Sequence, residues 1–564
     1  MDRMRTIIIG GVAAGMSAAT RLRRLDESRR ITVYERGPHV SFATCGLPYH
    51  VGGVIPDRSS LLVQTPQALA RRFALEVHVR HEVTAIDAEA RTITVRDLRS
   101  GLEAVERYDE LVLATGAAAT PGPAAAGVPT HTLRTIDDVD RVLEVLDAAG
   151  PAPRTVVVGA GFIGLEAVEN LRTRGAHVTL VSRGHQVLSP LDPEMAAPLT
   201  RILREAGVDL RLGATVTGAE AGRVILSDGT VLEADLVIEA SGVRPERDLA
   251  EAAGVAIGRA GGIRVDRRHR TSVDGIWAVG DGVEKVDHVD GEPVLVTMAG
   301  LANRHGRAAA DDIAGAGVGA ASGEGAGAVT REAAPALGTA IIGLFGTTVA
   351  IVGWNERRVR ADGRPHRIVH THPASHATYY PGAEPLAMKL IVDSATDLIL
   401  GAQIVGGAGV DKRIDVLAVA MAAGLTASAL SQLELAYAPA YGSAKDPVNM
   451  LGYVAENIAD GITRTLQWHE LDAALRDGAT LVDVRSPAEH TAGSIPGAVN
   501  IPLDELRQRE GELPGGPVVV HCMVGQRGHT AARLLAQRGH DVRNLDGGYR
   551  TWVAGTSTTR GATT

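Results

Sequence analysis

Two residues in this chain can do sulfur chemistry, Cys45 and Cys522, and they are its only cysteines. Cys45 lies in Ser41-Phe42-Ala43-Thr44-Cys45-Gly46-Leu47-Pro48-Tyr49. A lone cysteine is usually a small buried hydrophobe, but at a helix N-terminus its thiolate is stabilised and attacks other sulfurs. No second cysteine stands nearby, so chemistry here runs through one sulfur, as a mixed disulfide, a persulfide or a sulfenic acid. Cys522 follows the strand pattern Pro517-Val518-Val519-Val520-His521 and begins Cys522-Met523-Val524-Gly525-Gln526-Arg527-Gly528, with a helix pattern after it. A loop that turns its N–H groups inward, opens a helix and is closed by Arg527 stabilises a thiolate or persulfide anion.

The elements that must position these sulfurs are βαβ units. Thr6 to Ile9 reads as a buried strand, Gly10 to Gly15 as a tight turn, Met16 to Leu25 as a helix, and Ile31 to Glu35 as a second strand ending in an acid. The pattern returns at Thr155 to Val158, Gly159 to Gly164, Leu165 to Arg172 and His177 to Val181, which implies a doubly repeated Rossmann architecture with two nucleotide sites. In the first turn Gly10 and Gly15 keep the outer glycines of GxGxxG and Val12 replaces the middle one. Glu35, twenty-five positions on (35 − 10), can accept both ribose hydroxyls. The second turn is stricter, with Gly159, Gly161 and Gly164. Its second strand ends at Ser182-Arg183 where an NADH site usually places an acid, so the reading leans to NADPH.

Composition narrows the class. Lys plus Arg is 57 and Asp plus Glu is 66, a net charge of −9 that argues against nonspecific nucleic-acid binding and leaves discrete phosphate sites open. Hydrophobic content of 45% with 22% charged residues excludes a mainly disordered chain, and two cysteines exclude a secreted disulfide scaffold. A reducing cytoplasm is the expectation. No uncharged apolar run approaches the roughly 20 residues that span a bilayer, and the apolar start is broken by Gly10, Gly11 and Gly15. No metal site is expected.

At 564 residues the chain has length for about four domains. Gly315 to Val329 is nearly all Gly, Ala and Ser and reads as a flexible connector. A strand-rich region, Leu337 to Val405, and an amphipathic helix at Asp411 to Ala423 suggest an α+β domain, and a boundary near Ile458 to Gln467 precedes an independent α/β module. The expected bounds are 1–120 with 246–314, 121–245, 330–455 and 465–560.

Further motifs carry a resemblance. Thr271 to Asp281, with Ala114-Thr115-Gly116, resembles the late FAD motif of two-dinucleotide-domain flavoproteins, in which the acid, here Asp281, holds the ribityl chain. This implies FAD at the first turn and NAD(P)H at the second. The Cys45 segment, Ala302-Asn303-Arg304-His305-Gly306-Arg307, Ser375 to Gly382 and Leu435 to Pro447 resemble the single-cysteine pyridine nucleotide-disulfide oxidoreductases, above all the coenzyme A-disulfide reductase and persulfide reductase family, over about residues 5 to 455. Cys522 to Gly528, with Leu481 to Arg485, Gly493 to Leu503 and Leu545 to Tyr549, resembles a rhodanese.

The resemblance implies that coenzyme A meets Ser17, Arg21, Arg24, Ser41, Thr44, Asn303 and Lys445, with Arg72 a further candidate, and a cluster of cations suits its phosphates. It implies that Tyr379 and Tyr437 reach toward the active sulfur across a homodimer interface, where a phenol can donate to a developing thiolate. Oxidases and peroxidases of the superfamily carry a histidine in the first turn, where this chain has Ala13, which favours a disulfide or persulfide substrate over oxygen chemistry. The expected function is an FAD-dependent NAD(P)H reductase of coenzyme A disulfide, coenzyme A persulfide or polysulfide, with sulfane sulfur handled at Cys522. Two alternatives stay open: an NADH oxidase or peroxidase with a regulatory rhodanese domain, and a persulfide carrier with a redox-sensing flavin part.

Overall fold

In the computed structural model, residues 4–120, 122, 127–318 and 332–560 are described. The chain divides into two compact units, Met1–Val181 with Ala214–Ala336, and Ser182–Gly213 with Leu337–Thr564.

The first unit holds both glycine turns. Five parallel strands, in the order Ile276–Ala278, Glu110–Leu113, Arg5–Ile9, Arg30–Glu35 and Glu76–Val79, form its first sheet. Its strands read as continuous apolar runs because both faces are covered: Ile7, Ile8, Val33, Leu111 and Val112 are fully buried, each contributing about 1.5–3 kcal/mol. Helix Ala13–Leu25 covers one face and packs along helix Ala299–Val318. The contact is close because Gly306 has no side chain; a Cβ there would lie 2.1 Å from the Ala14 carbonyl oxygen. A second parallel sheet contains His177–Ser182, Arg154–Val158, Leu236–Glu239 and Thr130–His131. The expected connector starts too early: Gly315 to Val318 complete helix Ala299–Val318, whose preceding apolar face, with Ala309, Ala310, Ile313 and Ala314 buried, carries the helix on. Residues 319–329 of that stretch lie outside the described residues.

The second unit holds an antiparallel sheet in the order Ala340–Leu344, Thr347–Gly353, Ile399–Gly406, Leu386–Asp393, His366–Thr371, with helix Val410–Ala422 against it. It also holds the C-terminal parallel sheet Thr465–Leu466, Val542–Leu545, Val518–His521, Thr480–Asp483, Val499–Asn500. The architecture is therefore α/β, with two Rossmann-like sheets, an α+β domain and a C-terminal α/β module. Among the described residues no helix is long and apolar enough to cross a membrane.

Charge is buried at the centre of this second unit. Asp192, Glu194 and Glu356 approach closely enough to hold a cation, and the Lys389 ammonium stands among them, 2.9, 2.5 and 2.6 Å from their carboxylate oxygens. Lys389 is wholly buried and Glu194 nearly so, so each charge depends on its partners. Although burial favours the neutral forms, the carboxylates hold the lysine above its ordinary range and the ammonium holds Glu194 below its own. Removing one member strands the others: Lys389→Met should cost about 3–5 kcal/mol, read as a lower urea midpoint, whereas an unchanged midpoint would mean that the network is not what holds these elements.

Candidate active site

Both glycine turns leave helix donors open to an anion. Helix Ala13–Leu25 begins after Val12 with no side-chain cap and no acid in its first turn, and helix Phe162–Thr173 begins after Gly161 in the same way. Helix Ile136–Ala149 of the same unit, by contrast, is capped by a Thr135–Asp138 box. Gly10 takes φ +103° and its Cβ would sit 2.2 Å from the Ala114 carbonyl oxygen; at Gly161 an added Cβ would meet nothing within 4 Å, leaving room at the helix mouth. Gly15 and Gly164 each bring their helix hard against the turn. Glu35 is aimed by two backbone donors, Gly11 N–H at 2.8 Å and Gly37 N–H at 2.7 Å. Ala114 and Gly116 flank Thr115, whose hydroxyl donates to the Glu246 carbonyl at 2.6 Å. Asp281 follows strand Ile276–Ala278; burial pushes its carboxyl up, opposed by Lys285 and Arg134. These groups fit FAD at the first turn: free helix donors for pyrophosphate, a fixed carboxylate for the ribose and a sheltered acid for the ribityl chain. The second turn fits NAD(P)H, with strand His177–Ser182 ending at Ser182 and the exposed Arg183 next.

Cys45 is exposed, in a single helical turn, Thr44–Gly46, that leads into the short helix Leu47–Val51. The sequence expectation of a thiolate stabilised by a helix needs correction. Desolvation first, and then the charges of Glu166 and Asp281, push the Cys45 thiol up against a smaller backbone hydrogen bond. Burial pushes Glu166 up in turn, and the Tyr49 hydroxyl donates to it at 3.4 Å.

Ser17 and Asn303 are brought together, the Ser17 hydroxyl donating to Asn303 Oδ1 at 2.5 Å. Arg21 donates to Asp311 at 2.6 Å, while Arg24 and Arg72 are exposed, Arg24 lying over the Phe73 ring. Ser41 takes a left-handed φ of 49°, its carbonyl accepting from Val63 N–H, and Thr44 opens the Cys45 turn. In the second unit Lys445 is exposed, and the Tyr379 and Tyr437 hydroxyls, both at the surface, lie 2.8 Å apart.

Cys522 is fully buried at the end of strand Val518–His521. Helix Gln526–Gln537 starts after Gly525, in left-handed φ of 92°, with no side-chain cap and no acid in its first turn. From behind, Tyr549 N–H donates to the Cys522 carbonyl at 2.8 Å and Arg550 N–H to that of Met523 at 3.0 Å. The Arg527 fork grips Glu489 at 2.8 and 2.6 Å, holding that carboxyl down to about 2.

Sequence reasoning missed Glu166, Tyr49, Asp311 and Glu489. The first two had a signal, since Glu166 follows Gly164 by two positions and Tyr49 follows Cys45 by four; the others had none. If Glu166 disfavours the Cys45 thiolate, Glu166→Gln removes a nearby negative charge and the pH midpoint of Cys45 alkylation by iodoacetamide falls, measured in Cys522→Ser protein; an unmoved or raised midpoint contradicts this.

Comparison with known proteins agrees with this layout. Residues 4–300 match the pyridine nucleotide-disulphide oxidoreductase family, 339–447 its dimerisation domain and 467–555 the rhodanese-like domain. Coenzyme A disulfide reductase of Staphylococcus aureus (strain JH9) is 34% identical over 453 residues, covering 80% of this chain and all of that protein. The solved structure of reduced CoADR-RHD from Bacillus anthracis is 42% identical with a TM-score of 0.93, covering 99% of both chains. That of an NAD-dependent persulfide reductase from A. fulgidus is 34% identical with a TM-score of 0.88, covering 97% of this chain and all of that one. With two open-ended dinucleotide turns beside a single exposed cysteine, and a second cysteine in the loop that opens an uncapped helix, the chain belongs to the pyridine nucleotide-disulphide oxidoreductases, in the coenzyme A disulfide reductase and persulfide reductase branch that carries a C-terminal rhodanese-like domain.

Proposed function

We propose that the protein uses NAD(P)H, with a preference for NADPH, to reduce coenzyme A disulfide, coenzyme A persulfide or polysulfide at Cys45, and that Cys522 carries sulfane sulfur. The observation that carries this reading is the exposed, lone Cys45 held among groups from both dinucleotide elements, Glu166 after the second turn and Asp281 after the late strand. The preference for NADPH rests on Ser182 and Arg183 in place of an acid.

The Cys45 thiolate attacks one sulfur of coenzyme A disulfide; the S–S bond breaks, a coenzyme A thiolate leaves, and Cys45 is left in a mixed disulfide. From coenzyme A persulfide the leaving group is hydrosulfide. FAD, held by the open donors of helix Ala13–Leu25, Glu35 and Asp281, would supply the electron pair drawn from NAD(P)H, so that Cys45 returns to its thiolate and a second thiol leaves. Desolvation, with the charges of Glu166 and Asp281 behind it, keeps the thiolate share of Cys45 low. Ser17, Asn303 and the exposed Arg24 and Arg72 supply hydroxyl, amide and cationic groups for the coenzyme A chain and phosphates, with Arg21, Ser41, Thr44 and Lys445 as further contacts. Tyr379 and Tyr437, with their phenols at the surface, donate to the departing thiolate across a homodimer interface.

At Cys522 a thiosulfate sulfane sulfur bonds to the thiolate as sulfite leaves; a coenzyme A thiolate then takes that sulfur as coenzyme A persulfide and restores Cys522. Both cysteines act as thiols, which suits a reducing cytoplasm.

The test is anaerobic stopped-flow reoxidation of NADPH-reduced protein by coenzyme A disulfide, coenzyme A persulfide and polysulfide. Cys45→Ser should slow all three by roughly 10³-fold or more, as loss of a nucleophile does. Cys522→Ser should leave them intact and abolish thiosulfate-to-cyanide transfer. Reoxidation indifferent to Cys45, but fast with oxygen, contradicts the reading.

A further inference from the structure

The rhodanese-like module is anchored within the second unit by a buried histidine that no sulfur chemistry requires. His370, on strand His366–Thr371, is 4% exposed, and both of its ring nitrogens face carboxylates: Nδ1 to Asp546 Oδ2 at 2.8 Å and Nε2 to Glu194 Oε1 at 3.1 Å. An imidazole that donates from both nitrogens is a cation, and these partners push its pKa up to about 9 against its burial. Asp546, itself 3% exposed, also accepts from the His370 backbone N–H at 2.9 Å and from Gln467 at 3.2 Å. Charged or titratable groups beside this pair include Lys389, bound to the same Glu194 oxygen and to Asp192 and Glu356, and further His469, His372 and Arg550.

Asp546 begins the segment that backs the sulfur loop. Gly547 lies against His370, its added Cβ 2.9 Å from the His370 Cβ; at Gly548 a Cβ would be 2.4 Å from the Cys522 carbonyl oxygen and 2.8 Å from Gly525 N. Tyr549 and Arg550 then donate to the Cys522 and Met523 carbonyls. Residues 546–550 are thus held between His370 on one side and the Cys522 loop on the other.

We propose that His370 is a positioning residue for sulfur transfer: its charge fixes Asp546, and the segment behind it fixes the aim of the N–H groups around Cys522. This rests on the reading of Cys522 as the sulfur carrier. Without the cation, Asp546 is a buried carboxylate lacking its counter-charge, and the segment moves to find water or protons. The loop around Cys522 then loses the backing of residues 546–550, and sulfur transfer slows.

The experiment measures thiosulfate-to-cyanide transfer, and the pH midpoint of Cys522 alkylation by iodoacetamide, in full-length Cys45→Ser protein with and without His370→Gln or Asp546→Asn. Turnover should fall roughly 10- to 100-fold, the scale of a small misplacement, with the KM for thiosulfate nearly unchanged and the alkylation midpoint raised. Combining the two substitutions should add little to either alone. In the wild type, amides of residues 546–550 and 522–525 should be protected from hydrogen exchange to the same degree, which tests the coupling even where a variant does not fold. Unchanged midpoint and turnover in a folded variant, or exchange at 546–550 independent of 522–525, overturns the proposal. No sulfur transfer by the parent protein would instead remove the reading of Cys522, and this proposal with it.

Discussion

Two carbonyl oxygens with no room for a methyl group govern the redox half of the molecule. A Cβ at Gly15 would lie 1.9 Å from the Gly10 carbonyl oxygen, and one at Gly164 the same distance from that of Gly159. Each helix can therefore start where its strand ends, and the strand delivers the helix mouth rather than a side chain. The absence of capping residues follows from the same constraint: donors satisfied by a cap could not receive phosphate. Cys45, Glu166 and Asp281 hang from these elements or their neighbours, so the charge around the sulfur is set by where the turns place the helices.

The two sulfurs sit in opposite settings, which suits different tasks. The Cys45 thiolate is disfavoured by desolvation of the sulfur and then by the charges of Glu166 and Asp281. Cys522 is buried at the mouth of an uncapped helix, in the loop that Arg527 and Glu489 close. A thiol with a raised pKa gives the more nucleophilic thiolate once it has lost its proton, which suits attack on a substrate disulfide.

Much of this was legible in the sequence because it is local. The glycine turns, Glu35, Asp281 and the Cys522 to Gly528 loop lie within single supersecondary units, where spacing alone restricts geometry. What escaped depends on distant partners. Arg21 reads as a helix-face cation, and its pairing with Asp311 arises only when helices Ala13–Leu25 and Ala299–Val318 pack together. Arg527 reads as a loop-closing cation, and Glu489 claims its fork from another helix. His370 and Lys389 lie in strands whose alternation looks ordinary, since a buried cation is distinguishable from a solvated one only by the carboxylates that meet it. The helix running through Gly315 to Val318 shows the converse: small residues that read as a connector continue a helix whose preceding turns are already buried.

The central claim is that substrate sulfur bonds covalently to Cys45. Peptide mass spectrometry of the wild-type protein, quenched with acid and an alkylating reagent after anaerobic mixing of the thiol form with coenzyme A disulfide in the absence of NAD(P)H, tests it directly. The account predicts one coenzyme A per chain, attached to the peptide bearing Cys45 and released by NADPH. A Cys45 peptide recovered only in alkylated form, with coenzyme A nowhere or on Cys522, would contradict it.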